Sequence, residues 1–244
     1  MKAKIVSISI CVLVLSISLW CYVKGADLYS NSERRYLKQF PTLSIESVVL
    51  ADFMADFEEY ALDQFPLRDT FRKIKAYMNY YVFNKTDNNE IIYKDGYLTK
   101  IEYPLQEAMV QNANKVFASI YDTYLKKSNV KTYLSIIPDK NYYLFDEDYV
   151  LMDYKKLVED IKVNNAYMQY IDIFPLLELE DYYYNDTHWK QENLVDVSNI
   201  LKEKMNKKTF NSTYSSVLVE KNGNAYPFYG VYVGQYALNA DAEN

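Results

Sequence analysis

Asp186-Thr187-His188-Trp189 is the segment in which residue type and spacing suit chemistry. In an extended loop, side chains two positions apart project to the same side, so this carboxylate and imidazole can meet. A carboxylate so placed fixes the imidazole tautomer and stabilises the imidazolium, while the other ring nitrogen takes a proton from a hydroxyl nucleophile. Asp186 and His188 are therefore the candidate catalytic pair. The competing reading is a capped or packed loop histidine beside a buried Trp189, and one Asp-x-His does not decide between the two. His188 is the single histidine of the chain, and both cysteines, Cys11 and Cys21, lie in an apolar N-terminal stretch. No zinc-type ligand set can be assembled from these residues, although carboxylates alone can hold calcium or magnesium, and no cofactor is implied.

The elements that would position the pair alternate as in an α/β protein. Lys131 to Ile137 reads as a strand, Tyr149 to Asn164 as a helix and Met168 to Phe174 as a second strand, which together predict a parallel sheet. A loop then carries Asp186 and His188, and Lys190 to Lys204 reads as an amphipathic helix through Leu194, Val197, Ile200 and Leu201. Upstream, Ile45 to Phe83 shows one or two helices, interrupted at Phe65-Pro66. Lys94-Asp95-Gly96 joins Glu90 to Tyr93 and Tyr97 to Thr99 as a hairpin. Tyr103 to Lys127 is helical, with Pro104 expected in its first turn. Ala225 to Leu238 reads as a hairpin or sheet edge. Lys140 falls where a parallel strand should end, the side on which open α/β sheets bind ligands, and is either a substrate contact or a solvated lysine.

Ile5 to Val23 is uncharged and about 19 residues long, enough to cross most of a bilayer's hydrocarbon layer. Lys2 and Lys4 precede it, so the N-terminus is expected in the cytoplasm and everything after Lys24 outside. The alternative is secretion after signal cleavage, against which the bulky Trp20 and Leu19 argue. The net charge of -6 excludes a nucleic-acid binder, which needs a basic surface to displace counterions. The 27 tyrosines are spread along the chain and read as compositional bias rather than as one aromatic cleft. The Asn-x-Thr triplets at Asn84, Asn185 and Asn211 read as chance matches to a glycosylation pattern.

Asn185-Asp-Thr-His-Trp189 resembles the signature of the DHHW family and of the related alginate O-acetyltransferase group within the SGNH hydrolase-like superfamily. Three further ordered blocks resemble the same family: Ser32-Glu-Arg-Arg-Tyr-Leu-Lys-Gln-Phe-Pro41, Phe57-Glu-Glu-Tyr60 with Asp63-Gln-Phe-Pro-Leu-Arg68, and Ile137-Pro-Asp-Lys140. The resemblance implies an α/β, SGNH-like three-layer fold with a mostly parallel sheet. It implies catalytic roles for Asp186 and His188 and substrate contacts for Trp189 and Lys140. The family's nucleophilic serine lies in a block well after the histidine, and no match to it follows His188. Ser135, Ser198, Ser212, Ser215 and Ser216 all lack the glycine-flanked turn that exposes a nucleophile, so the fold is expected to be incomplete at its C-terminus.

The resulting expectation has a cytoplasmic tip and signal-anchor helix over 1–24, a tether over 25–44 and a partial SGNH-like extracytoplasmic domain over 45–244. Arg68 and Asp63 are expected to pair and hold the N-terminal helices. The implied function is O-acetyl transfer or ester hydrolysis on cell-envelope polysaccharide, with an integral acyltransferase of the MBOAT type as the implied partner and with the nucleophile serine block lacking from this chain, which would leave it an incomplete enzyme unless another polypeptide contributes the serine. The alternative is a non-catalytic surface protein that holds a glycan or a partner through its tyrosines.

Overall fold

The apolar N-terminal stretch folds as one helix, α1 (Lys2–Lys24). Its segment Lys4–Lys24 is long and apolar enough to cross a membrane, and its most apolar window is not buried by the rest of the molecule. The computed structural model describes residues 2–146, 149–207, 220–221, 224–225, 228–238 and 240. The chain divides into two compact units, one of Met1–Asn88 with Val233–Asn239, the other of Asn89–Tyr232 with Ala240–Asn244.

In the first unit, β1 (Tyr29–Ser30) pairs antiparallel with β2 (Arg35–Tyr36). Three helices follow, α2 (Ile45–Val49), α3 (Asp52–Asp63) and α4 (Arg68–Tyr77), and α4 runs on into a π-helical turn over Met78–Val82. A two-residue strand, β3 (Asp87–Asn88), comes next. The break expected at Phe65-Pro66 separates α3 from α4. A second break, at the left-handed Ala51 (φ 63°), makes three helices where one or two were expected. Ser44 and Ser47 cap α2 reciprocally, each side chain accepting the other's backbone N–H.

Two of the sequence blocks meet in this unit. Asp63 Oδ2 accepts from Arg35 Nη1 and from the Lys38 N–H, both at 2.8 Å, and Oδ1 accepts from Arg35 Nη2 at 2.5 Å. The neighbouring Gln64 side chain accepts from the Asp27 N–H and donates to the carbonyls of Asp27 and Lys38. The Asp-Gln-Phe-Pro block thus pins the segment that follows the apolar helix. The hydrogen bond from Arg35 holds the Asp63 pKa below its ordinary value; burial opposes this and the Lys38 amide reinforces it. Arg68 lies 3.6 Å from Asp63 and bonds closely to Glu33, so the expected pair is one edge of a larger network led by Arg35.

In the second unit, β4 (Ile91–Lys94) and β5 (Tyr97–Lys100) form the expected hairpin, in the register Lys94↔Tyr97. Asp95 and Gly96 both have positive φ, 50° and 88°, the tight turn whose twist matches the strands. Helix α5 (Glu107–Ile120) begins three residues after Pro104, so the proline precedes the helix instead of opening it. β6 (Tyr133–Leu134) and β7 (Gln169–Tyr170) pair in parallel across a crossover that contains α6 (Asn141–Leu144) and α7 (Tyr154–Asn164).

The molecule is therefore a mixed helix and sheet protein. Its parallel component, among the described residues, is this one short pair, where a mostly parallel sheet was expected. Helix α8 (Val195–Lys204) follows a 3-10 turn over Gln191–Asn193, and β8 (Glu220–Lys221) pairs with β9 (Asn224–Ala225). The expected terminal hairpin is instead in part a helix, α9 (Val231–Tyr236). Its aromatic content suggested a strand, but Tyr232 and Tyr236 are both buried at a four-residue spacing, the period of a helix face.

One core cluster of this unit joins Ile92 and Tyr97 of the hairpin to Leu144 and Phe145. A second joins Ile171, Ile173, Leu177 and Val197, with Trp189 and α8 residues packed against it.

Candidate active site

The segment from Tyr182 to Trp189 is a loop whose ends are tied together. Tyr182 and Trp189 form an antiparallel bridge, the Tyr183 N–H donates to the His188 carbonyl, and the Lys190 N–H donates to the Asp181 carbonyl. The β4–β5 hairpin holds one flank, where the Leu98 N–H donates to the Tyr184 carbonyl at 2.7 Å. From inside, the Lys140 ammonium donates to the carbonyls of Tyr183, Tyr184 and Asp186 at 2.9, 3.2 and 2.7 Å. One cation thus bridges three backbone carbonyls of the curled loop, that of Tyr184 accepting from Leu98 as well.

Lys140 itself is fully buried, which corrects both sequence-based readings of it. Neither a solvated lysine nor a substrate contact fits an ammonium enclosed by three carbonyls. Its function is to hold the loop that carries the pair. Trp189 is half-buried, with part of its ring on the second core cluster and part lining the cleft described below.

The other flank is held by three consecutive backbone N–H groups, of residues 230–232. Gly230 N–H donates to Asn185 Oδ1 at 2.5 Å, Val231 N–H to Asp186 Oδ2 at 2.9 Å, and Tyr232 N–H to the Asn185 carbonyl at 3.1 Å. A Cβ on Gly230 would stand 2.2 Å from the Asn185 carbonyl oxygen, so only glycine permits this approach. Asn185 is buried in these contacts, which leaves no room for a glycan on it.

Asp186 is thereby fixed and almost fully covered. Its Oδ1 accepts from the His188 N–H at 3.1 Å, closing a local turn, and lies 2.5 Å from His188 Nδ1. Burial works against ionisation, but the hydrogen bonds from the His188 ring, the Val231 N–H and the His188 N–H outweigh it. The Asp186 pKa is below its ordinary value. An ionised carboxylate accepts only, so the neutral imidazole donates from Nδ1 and presents the lone pair of Nε2 outward. The His188 side chain is 72% exposed while that of Asp186 is 4% exposed. An anchored carboxylate behind an open imidazole is the arrangement that a general base needs.

His188 opens on a cleft of about 250 Å³, bounded by residues 137–139 on one side and by Tyr182, Thr187 and Trp189 on the other. Residues 137–139 lie just past the C-terminal end of β6, where open parallel sheets bind ligands. The Tyr182 phenol, whose pKa burial raises, donates to the Pro138 carbonyl at 2.6 Å. Tyr232, pushed up to about 12 mainly by burial, bonds to Thr187. These phenols stay neutral at physiological pH and serve as walls and donors.

Asp139 is the cleft residue that the sequence reading passed over. It stood beside Lys140 in the Ile137–Lys140 block, at the strand end where ligand contacts are expected. Among the serines, Ser135 Oγ donates to the Ile171 carbonyl at 2.8 Å, and Ser198 sits within α8. Ser212, Ser215 and Ser216 lie outside the described residues. Among the described residues, no serine lines the cleft and no cluster of three or more histidine, cysteine or acidic residues could hold a metal ion. The chain matches no protein-family model, no curated protein and no solved structure.

Proposed function

We propose that this chain is a membrane-anchored, extracytoplasmic, SGNH-like protein that acts in acyl transfer to, or ester hydrolysis on, hydroxyl groups of a cell-envelope polysaccharide. One observation carries the reading: an exposed imidazole whose inner nitrogen is bonded to a buried, ionised carboxylate at the mouth of a cleft. In that geometry Nε2 of His188 accepts the proton of a hydroxyl as its oxygen attacks the ester carbonyl. Asp186 stabilises the resulting imidazolium, which returns the proton to the departing alkoxide. The hydroxyl belongs to the acceptor or water itself, or to a serine contributed by another polypeptide.

The apolar helix α1 and the lysines before it support a single crossing with the N-terminus inside. An MBOAT-type acyltransferase in the same membrane is the donor that the family resemblance suggests. The short parallel pair leading to the cleft is consistent with the SGNH-like reading. A glycan-binding role without catalysis is the second reading, favoured by the half-buried Trp189 ring at the cleft.

The test is turnover of a chromogenic acetyl ester by the full chain in detergent. Wild type is expected to be active and His188→Ala to lose at least ~100-fold, the lower range for a general base. An His188→Ala protein as active as wild type would remove the catalytic reading. Glycan binding without turnover would favour the second one.

A further inference from the structure

Asp139 stands on the same cleft as His188, and its two oxygens are in different situations. Oδ1 accepts from the Asn141 N–H at 3.0 Å and from the Thr99 hydroxyl at 3.3 Å. Oδ2 takes no hydrogen bond from any described residue. The backbone around it is fixed, because the Pro138 carbonyl accepts from Tyr182, the Asp139 carbonyl accepts from the Tyr142 N–H, and the adjacent Lys140 is locked into the loop. The carboxyl is thus a rigid acceptor with one oxygen left for whatever enters the cleft.

The charge around it is one-sided. Among the residues lining the cleft, Asp139 carries the one carboxyl group, His188 is the one side chain that can become positive, and none is a lysine or arginine. The nearest ammonium, Lys140, faces away into three carbonyls. Burial raises the Asp139 pKa, opposed by the Asn141 amide, the Lys140 charge and the Thr99 hydroxyl. The site already resists one negative charge, and a second would meet the same resistance.

We propose that Asp139 is the specificity residue of the cleft: its free oxygen accepts a hydroxyl or ammonium of the ligand, so that neutral and amino sugars are admitted and uronic acids are excluded. The half-buried Trp189 offers apolar surface to the sugar ring, which the three sugar classes share, so the discrimination falls to the charge. Like charges a few ångströms apart at a half-buried site disfavour the acidic ligand by about tenfold or more. The inference rests on the reading of this cleft as the acceptor site, and it sets the cleft apart from one built for a polyuronate.

The experiment uses the full chain in detergent micelles with three trisaccharides, of N-acetylglucosamine, glucosamine and galacturonate. Binding is followed through the NMR signal of the single imidazole and through tryptophan fluorescence. The galacturonate trimer is expected to bind at least ~10-fold more weakly than the other two. Asp139→Asn, which keeps an acceptor for Asn141, is expected to erase that gap, and Asp139→Glu to retain it. Equal or tighter binding of galacturonate by wild type overturns the inference whatever the variants do. So does a gap that persists in a folded Asp139→Asn protein, or binding of none of the three. Acetyl-ester turnover is measured in parallel: a charge preference without turnover removes only the general-base role, while turnover without a preference removes only the role of Asp139.

Discussion

The chemistry open to His188 depends on which ring nitrogen carries its proton, and the carboxylate behind it decides that. Because the chain has one histidine, its imidazole nitrogens can be read by NMR without assignment. The neutral ring is expected to be protonated at Nδ1, and Asp186→Asn to give a mixture of tautomers; a ring protonated mainly at Nε2 in wild type would contradict the geometry. Asp186 and Asp139 also make opposite contributions with pH. For Asp186 the folded pKa is lowered, so its stabilisation is present above the ordinary carboxylate value of 3.8 and is lost as pH falls through the folded pKa. For Asp139 the folded pKa is raised, so its ionisation costs stability at neutral pH. Asp139→Asn should therefore melt higher than wild type at pH 7, with the advantage shrinking as pH falls toward 3.8; an advantage unchanged across that range would refute the assignment. Asp186 and His188 were legible in the sequence because a spacing of two is local geometry. Asp139 was not, because its free oxygen depends on Thr99 and Asn141 taking the other one.

Elements, not single residues, hold the pair in place. The loop from Tyr182 to Trp189 is gripped by a hairpin, by a lysine after a strand and by the backbone at the start of α9. Gly230→Ala would push a methyl into the Asn185 carbonyl and separate the Val231 amide from Asp186. Denaturant unfolding should show a loss of about 1–3 kcal/mol, the range for overpacking, together with reduced ester turnover. Normal stability in that variant would mean the two strands of backbone are not in contact. The hairpin itself is a separate test, because Gly96 has a φ of 88°. Gly96→Ala should cost about 1–2 kcal/mol, with the imidazole signal unchanged. The hairpin was legible from its turn residues and the α3–α4 break from Pro66, since both are local chain chemistry. The left-handed Ala51 was not, because alanine favours helix and gives no turn signal, and the helix at Val231–Tyr236 was not, because its aromatic residues favour a strand. The parallel pair was legible in kind but not in extent, because apolar runs mark strands without saying how many residues find a ladder partner.

At the scale of the whole molecule, the proposed single crossing by the N-terminal helix can be tested directly. Replacing Leu13 with arginine near the middle of α1 should weaken membrane retention, since a central charge costs about 2.5–3.5 kcal/mol of insertion. Fractionation after an alkaline wash reads this directly, and a variant retained as well as wild type would argue against a spanning role. The chain's only cysteines lie in α1, so a cysteine placed at the exposed Lys127 is the one thiol beyond that helix. Its labelling by a membrane-impermeant maleimide on intact cells is expected, and labelling only after lysis would reverse the topology. The apolar N-terminal helix was the most legible element, because about 19 consecutive uncharged residues make a helix long and apolar enough to cross a membrane. The buried Lys140 offers a different kind of readout. An amine-acylating reagent applied to the native protein should mark the surface lysines and spare this one, whose nitrogen is occupied by three oxygens. Mass spectrometry of its peptide would then act as a clock for the loop, recording how often the segment that carries Asp186 lets go of its internal cation.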